Sequence, residues 1–159
     1  PLHGGANEEV LQQLQAIGGP GHVAAWFQRV NGSHGKVMGF GHRVYKTKDP
    51  RAIALQGLVR ALFQAHGSTP IYDTALALEA EVTKHLGSRG IYPNVDFFSG
   101  IVYSKLGIPT DLFTPIFGLS RVAGYLAHWR EQMADNKLFR PSQIYVGQRT
   151  REYVPIEER

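Results

Sequence analysis

The residues best suited to chemistry occur in four short blocks. In the first, His3 precedes Gly4-Gly5-Ala6-Asn7, just ahead of a predicted helix. A helix N-terminus disfavours added positive charge, so an imidazole there stays neutral and can donate a hydrogen bond to a carbonyl. The two glycines let a ligand approach the backbone closely. The second block is Gly39-Phe40-Gly41-His42-Arg43-Val44-Tyr45-Lys46, continued by Lys48 and by Asp49-Pro50-Arg51. A glycine-rich loop, a histidine and several cations thus lead into a helix start, where backbone N–H groups and the helix dipole favour carboxylates and phosphates. Its glycine spacing matches neither a P-loop nor a dinucleotide fingerprint. The third block, Tyr92-Pro93-Asn94-Val95-Asp96-Phe97-Phe98-Ser99-Gly100, sets a carboxylate among aromatics in the first turn of a helix. Two readings of Asp96 stand: a favourable dipole interaction, or a partly desolvated general base. The fourth holds Arg121 in the apolar run Phe117 to Ala123, with Arg140 further on before Pro141. Each either reaches out to solvent along its stem or points into an anion site.

Other chemistries find no support in these patterns. The chain has no cysteine, no His-Glu-x-x-His pair and no local His/Asp/Glu cluster with ligand spacing, so no metal site is expected. The nucleophile elbow of serine hydrolases is missing as well. Charge narrows the ligand class: the 159 residues carry a formal charge of +4, with 17 Lys and Arg against 13 Asp and Glu. Lys36, Arg43, Lys46, Lys48 and Arg51 cluster around the second block, opposed there only by Asp49. Arginine predominates over lysine, which suits a planar grip on carboxylates or phosphates and points to small anionic ligands. No nucleic-acid motif accompanies the basic loop, so nucleic acid is not an expected partner. No apolar run is long enough to cross a bilayer and no signal peptide opens the chain, so no membrane partner is expected. With the lack of cysteine, this reads as a cytoplasmic protein.

The elements that must hold these blocks are almost all helical. Val10, Leu11, Leu14 and Ile17 form one stripe of a helix from Ala6 to Ile17, stopped by Gly18-Gly19-Pro20. A second helix is predicted from Gly21 to Val30, with Val23, Trp26, Phe27 and Val30 on one side. Ser33 to Tyr45 reads as loop and short extended structure. Asp49-Pro50 pairs an N-cap residue with a first-turn proline and starts a helix that ends near His66-Gly67. Further helices are predicted over Tyr72 to Leu86 and, capped by Asn94, over Val95 to Leu106. A long helical stretch from Thr110 to about Ala134 should bend at Pro115 or Gly118, and Gln143 to Val146 could form a short strand. With 43% hydrophobic residues, the chain can build a true core.

Taken in order, His-Gly-Gly-Ala-Asn, Gly-Phe-Gly-His-Arg-Val-Tyr-Lys with Asp-Pro-Arg, Pro-Asn-Val-Asp-Phe-Phe-Ser-Gly and an arginine before a long helix resemble citrate synthase. The resemblance runs from Leu2 to about Val146. It implies an all-α, multi-helical fold: a hinge at residues 1–5, the family's small domain over 6–115, and the C-terminal helix and tail of the large domain over 116–159. It also implies that the N-terminal part of the large domain is absent, so that the isolated chain has little or no turnover. The implied reaction joins acetyl-CoA and oxaloacetate to give citrate and CoA, an acyltransferase chemistry with the thioester as substrate and no further cofactor. By the same resemblance His3 steadies the thioester enol, Asp96 removes the methyl proton and His42 polarises the oxaloacetate ketone. Arg51, Arg121 and Arg140 hold carboxylates, Arg140 from across a dimer interface, and Arg43, Lys46 and Lys48 lie near the CoA nucleotide. A homodimer or higher oligomer is implied. Two alternatives stand beside this reading: a 2-methylcitrate synthase using propionyl-CoA, and a non-catalytic helical module that binds CoA or another anion.

Overall fold

A computed structural model describes residues 5–137, 140, 142–148 and 150–158. The architecture is all-α. Seven α-helices appear among the described residues: α1 Ala6–Ile17, α2 Val23–Gly32, α3 Pro50–His66, α4 Pro70–Leu86, α5 Val95–Lys105, α6 Phe113–Leu119 and α7 Val122–Ala134. The chain divides into two compact units, one ending at Val122 and the other starting at Ala123.

Local chemistry explains most helix ends in the first unit. Gly18 closes α1 in the left-handed conformation, φ 76°, and its N–H reaches back to Leu14 O. Asp49, Thr69 and Asn94 cap α3, α4 and α5, each accepting a backbone N–H in the first turn with its side-chain oxygen. Pro50 and Pro70 occupy first-turn positions, where a missing N–H removes no helical hydrogen bond.

The core forms where these helices turn their apolar stripes inwards. Val10, Leu14, Phe27, Val59, Leu78, Val82, Phe97 and Phe98 are all essentially buried in one cluster. Removing a phenylalanine side chain from water contributes about 1.5–3 kcal/mol, so Phe97 and Phe98 make α5 a central element. α5 packs on both α1 and α3, and α2 packs on α4. The contact of α1 with α5 is unusually close at Gly100, where a Cβ atom would fall 2.5 Å from the Asn7 carbonyl oxygen. Phe113 at the start of α6 is fully buried, with its ring edge-on to Tyr103 at a centroid distance of 5.3 Å.

Two sequence expectations need correction. The stretch after Thr110 is not bent at Pro115 or Gly118. Pro115 lies in the first turn of α6, where it is tolerated, and the break falls at Ser120-Arg121, whose N–H groups bond back to Ile116 O and Gly118 O. Residues 143–146 are not a strand; among the described residues no strand forms, and the single isolated bridge pairs Phe40 with Pro93. A strand needs a ladder partner, and among the described residues none stands opposite these. In the second unit α7 has no buried residue, and Tyr125, Leu126, Trp129 and Met133 all present apolar surface to solvent.

Candidate active site

The glycine-rich loop owes its position to a small antiparallel junction. Gly41 N donates to Tyr92 O at 2.9 Å, and Asn94 N donates to Gly39 O at 2.9 Å, on either side of the Phe40–Pro93 bridge. The Asn94 side chain completes the join: its Nδ2 donates to Gly41 O at 3.0 Å, while its Oδ1 accepts Asp96 N at 3.0 Å and caps α5. One asparagine therefore clamps the loop and starts the helix that carries Asp96. Two glycines make the junction sterically feasible, Gly39 at φ 80° and Gly41 at φ 83°. Gly39 must also be small, because a Cβ there would lie 2.7 Å from Val10 Cγ2 and 2.9 Å from Phe97 Cδ2. Phe40 seals the far side with its ring edge-on to Phe97, centroids 4.8 Å apart.

This geometry delivers His42 directly after the junction. His42 Nδ1 accepts the backbone N–H of Val44 at 3.0 Å and of Tyr45 at 3.2 Å, which leaves the proton of the neutral ring on Nε2. The ring also packs on Tyr45, centroids 4.6 Å apart. Nε2 faces Arg51 Nη2 at 3.5 Å. Both atoms are then donors, so they do not satisfy each other, and their spacing lets one oxygen acceptor serve both.

Arg51 is aimed by Asp49. The buried Asp49 carboxylate accepts Arg51 N at 2.9 Å, Nε at 3.1 Å and Nη2 at 2.7 Å, a bidentate grip that also caps α3. The Arg51 side-chain hydrogen bonds hold the Asp49 carboxyl below its ordinary range. That effect outweighs burial, with help from the Arg51 backbone N–H, its charge and His42. In turn Asp49 raises the Arg51 guanidinium above its ordinary value, against desolvation and with smaller help from Tyr45 and Asp96.

His42, Arg51 and Asp96 line one cavity of about 790 Å³, a volume suited to a substantial small molecule. Asn94 and Arg43 add polar groups, and Phe27, Val37, Met38 and Ile91 form apolar wall. Such a site can bind an anionic carbonyl compound through Arg51, polarise its oxygen with His42 Nε2–H and offer a carboxylate as base.

The remaining sequence-predicted residues are placed as follows. His3 lies outside the described residues. Lys46 is exposed and away from the cavity. Lys48 is also away from it, held by Glu79 and Gln56. Arg121 is exposed, its guanidinium 4.5 Å over the ring of Phe117, which itself lines the cavity. Arg140 is exposed and belongs to the second unit. Sequence reasoning missed Lys36 as a lining residue, although it recognised Lys36 as part of the basic cluster. It also missed the second bond of Asn94 and the grip of Asp49 on Arg51; the only local signal for the latter is the Asp-Pro-Arg spacing. Among the described residues no group of three or more His, Asp or Glu is placed to hold a metal ion, and no helix is long and apolar enough to cross a membrane.

Known proteins match along the whole chain. The family described as citrate synthase, C-terminal domain, matches residues 1–142. A citrate synthase of Synechocystis is 55% identical over 159 residues, all of this chain and 40% of that protein. A citrate synthase of Thermoplasma acidophilum, solved as a ternary complex with carboxymethyl coenzyme A and oxaloacetate, is 44% identical with a TM-score of 0.79, covering 100% of this chain and 43% of that one. The citrate synthase structure from Pyrobaculum aerophilum gives a TM-score of 0.82 at 42% identity, covering 100% and 40%. The chain thus spans between 32% and 43% of the length of the curated relatives it matches.

Proposed function

The chain belongs to the citrate synthase family, and from that premise we propose that the protein carrying this sequence condenses acetyl-CoA with oxaloacetate and water to citrate and CoA. One observation carries the reading: a single cavity collects an imidazole donor, an oriented arginine and a carboxylate from segments far apart in sequence. A thioester α-proton is weakly acidic, so its removal needs a positioned base and a donor for the developing enolate oxygen. Asp96 takes the methyl proton, and His3 donates to the thioester oxygen. The nucleophilic carbon then attacks the oxaloacetate ketone, whose oxygen accepts from His42 Nε2–H. Arg51 and Arg121 offset the charge of the dianion and fix its orientation, Arg140 adds to a neighbouring subunit's site in a homodimer, and Arg43 lies near the CoA phosphates. Water then cleaves citryl-CoA. Every group this requires is a side chain or a substrate. The catalytic division follows the chain, with the small domain over 6–115 and a C-terminal helix and tail over 116–159.

The test has two parts. Isothermal titration of this chain with CoA and with oxaloacetate, separately, reads which half-site functions without the rest of the protein; turnover by the chain alone is expected to be minimal. In the full-length polypeptide that contains the sequence, Asp96→Asn should lower kcat by about 10²–10⁴-fold, the usual contribution of a positioned base. Retention of most of the activity would remove Asp96 from the mechanism. Competition of acetyl-CoA with propionyl-CoA in the same polypeptide reads the acyl preference, which one methylene shifts by only about 1–3 kcal/mol.

A further inference from the structure

The segment from His42 to Lys48 has no regular structure, and Arg43, Val44, Lys46 and Thr47 are exposed along it. Upstream it is fixed by the junction of Gly39–Gly41 with α5. Downstream Asp49 begins α3. The intervening residues need an anchor of their own if His42 and Arg51 are to keep a common aim.

Lys48 supplies one. Its ammonium donates to Glu79 Oε1 on α4 and to Gln56 Oε1 on α3, the latter at 2.5 Å. Gln56 Nε2 closes the ring by donating to Glu79 Oε2 at 2.8 Å. Both carboxylate oxygens of Glu79 and both ends of the Gln56 amide are thereby used. The same ammonium stands 5.5 Å from the ring centroid of Phe98 on α5, two residues beyond Asp96. A single loop residue is thus attached to three helices. The Lys48 and Glu79 side chains are only 22% and 16% exposed, so the pair is better shielded than a surface salt bridge. None of the three residues lines the cavity. The Lys48 ammonium is thus turned towards the helices.

We propose that Lys48, Gln56 and Glu79 are positioning residues: their ring tethers the 42–48 segment so that His42 Nε2 and Arg51 Nη2 converge on one acceptor. The identity of that acceptor as oxaloacetate rests on the function proposed above; the tether does not.

Hydrogen exchange of individual amides provides the test, because Val44 and Tyr45 N–H bond to His42 Nδ1 and report the loop directly. Glu79→Ala should speed exchange at these two amides about tenfold, or about 1.4 kcal/mol of local opening. The core amide of Leu14 on α1 should keep its rate. Lys48→Met, which retains the apolar stem, should reproduce the effect. Glu81→Ala removes a side-chain partner of His85 on the same helix, at 3.1 Å, in a contact that includes no loop residue, and should leave Val44 and Tyr45 unchanged. Unaltered exchange in both Glu79→Ala and Lys48→Met, or an equal rise at Leu14, would overturn the proposal. A companion titration with oxaloacetate keeps the two readings apart. Measured in the full-length polypeptide that contains the sequence, about tenfold weaker binding in Glu79→Ala supports both; a loosened loop in a full-length protein that never binds oxaloacetate supports the tether and removes the proposed substrate.

Discussion

Replacing Asp49 by Asn tests the link between helix capping and site geometry. Asp49 is 1% exposed and accepts three hydrogen bonds, all from Arg51. Asn keeps an oxygen for the Arg51 backbone N–H, so the cap of α3 survives. It loses the charge, and its amide nitrogen would confront the Arg51 Nη2 donor. Hydrogen bonds to charged groups contribute about 1.5–3 kcal/mol. The Arg51 side chain is 43% exposed, however, so its own charge stays solvated after the change and the penalty is discounted. The expected loss for Asp49→Asn is about 1–2 kcal/mol of unfolding free energy at neutral pH. Asp49→Ala should lose about 0.5–2 kcal/mol more with the cap. The pH dependence follows from the direction of the Asp49 shift. Folding lowers its pKa from 3.8, so the folded state keeps the carboxylate ionised further into acid than the unfolded chain does. The stabilisation is complete above the unfolded value and drains away as pH falls through the lower folded one. Urea titrations of wild type and both variants, run from neutral pH into acid and compared at constant slope, measure the gap. It should be widest at neutral pH and close below the unfolded value. A neutral-pH gap under about 0.5 kcal/mol, the level of an ordinary surface substitution, or one that widens in acid, would refute the assignment of Arg51 to Asp49.

Two further changes probe the junction. Gly39→Ala should cost about 2–5 kcal/mol, combining left-handed strain with overpacking against Val10 and Phe97. Gly41→Ala meets no atom within 4 Å and should cost only the strain, about 1–2 kcal/mol; equal losses in chemical denaturation would contradict the packing account. Asn94→Ala should lose about 1–3 kcal/mol through its cap and its bond to Gly41 O, with a matching fall in oxaloacetate affinity by titration. Intact affinity in a folded Asn94→Ala protein would mean that the clamp does not aim His42.

Local rules made much of the fold readable. The Val10–Ile17 stripe with Gly18, the Asp49-Pro50 start and the Asn94 cap each act within a few residues: α1 ends at Gly18, and α3 and α5 begin directly after Asp49 and Asn94. Pro115 misled because a proline reads as a breaker in sequence, whereas its effect depends on the turn it occupies. The apolar residues at 143–146 suggested a strand for a similar reason: propensity is local, but a ladder needs a partner elsewhere.

The chemical content of the four blocks, their order and the family they resemble were already present in the linear chain, because residue type and short spacing carry them. Convergence was not. The pairing of Gly39–Gly41 with Tyr92–Asn94 joins positions 53 residues apart in the Asn94–Gly41 bond, and Lys48 meets Glu79 across 31. No local preference encodes such closures. They form because burying Phe97 and Phe98 against α1 and α3 brings the loop to the start of α5, where two glycines and one asparagine let the backbones meet. The sequence supplied a basic loop with several candidate cations; only the packed helices decided that Arg51 faces the cavity while Lys48 turns away to hold the loop in place.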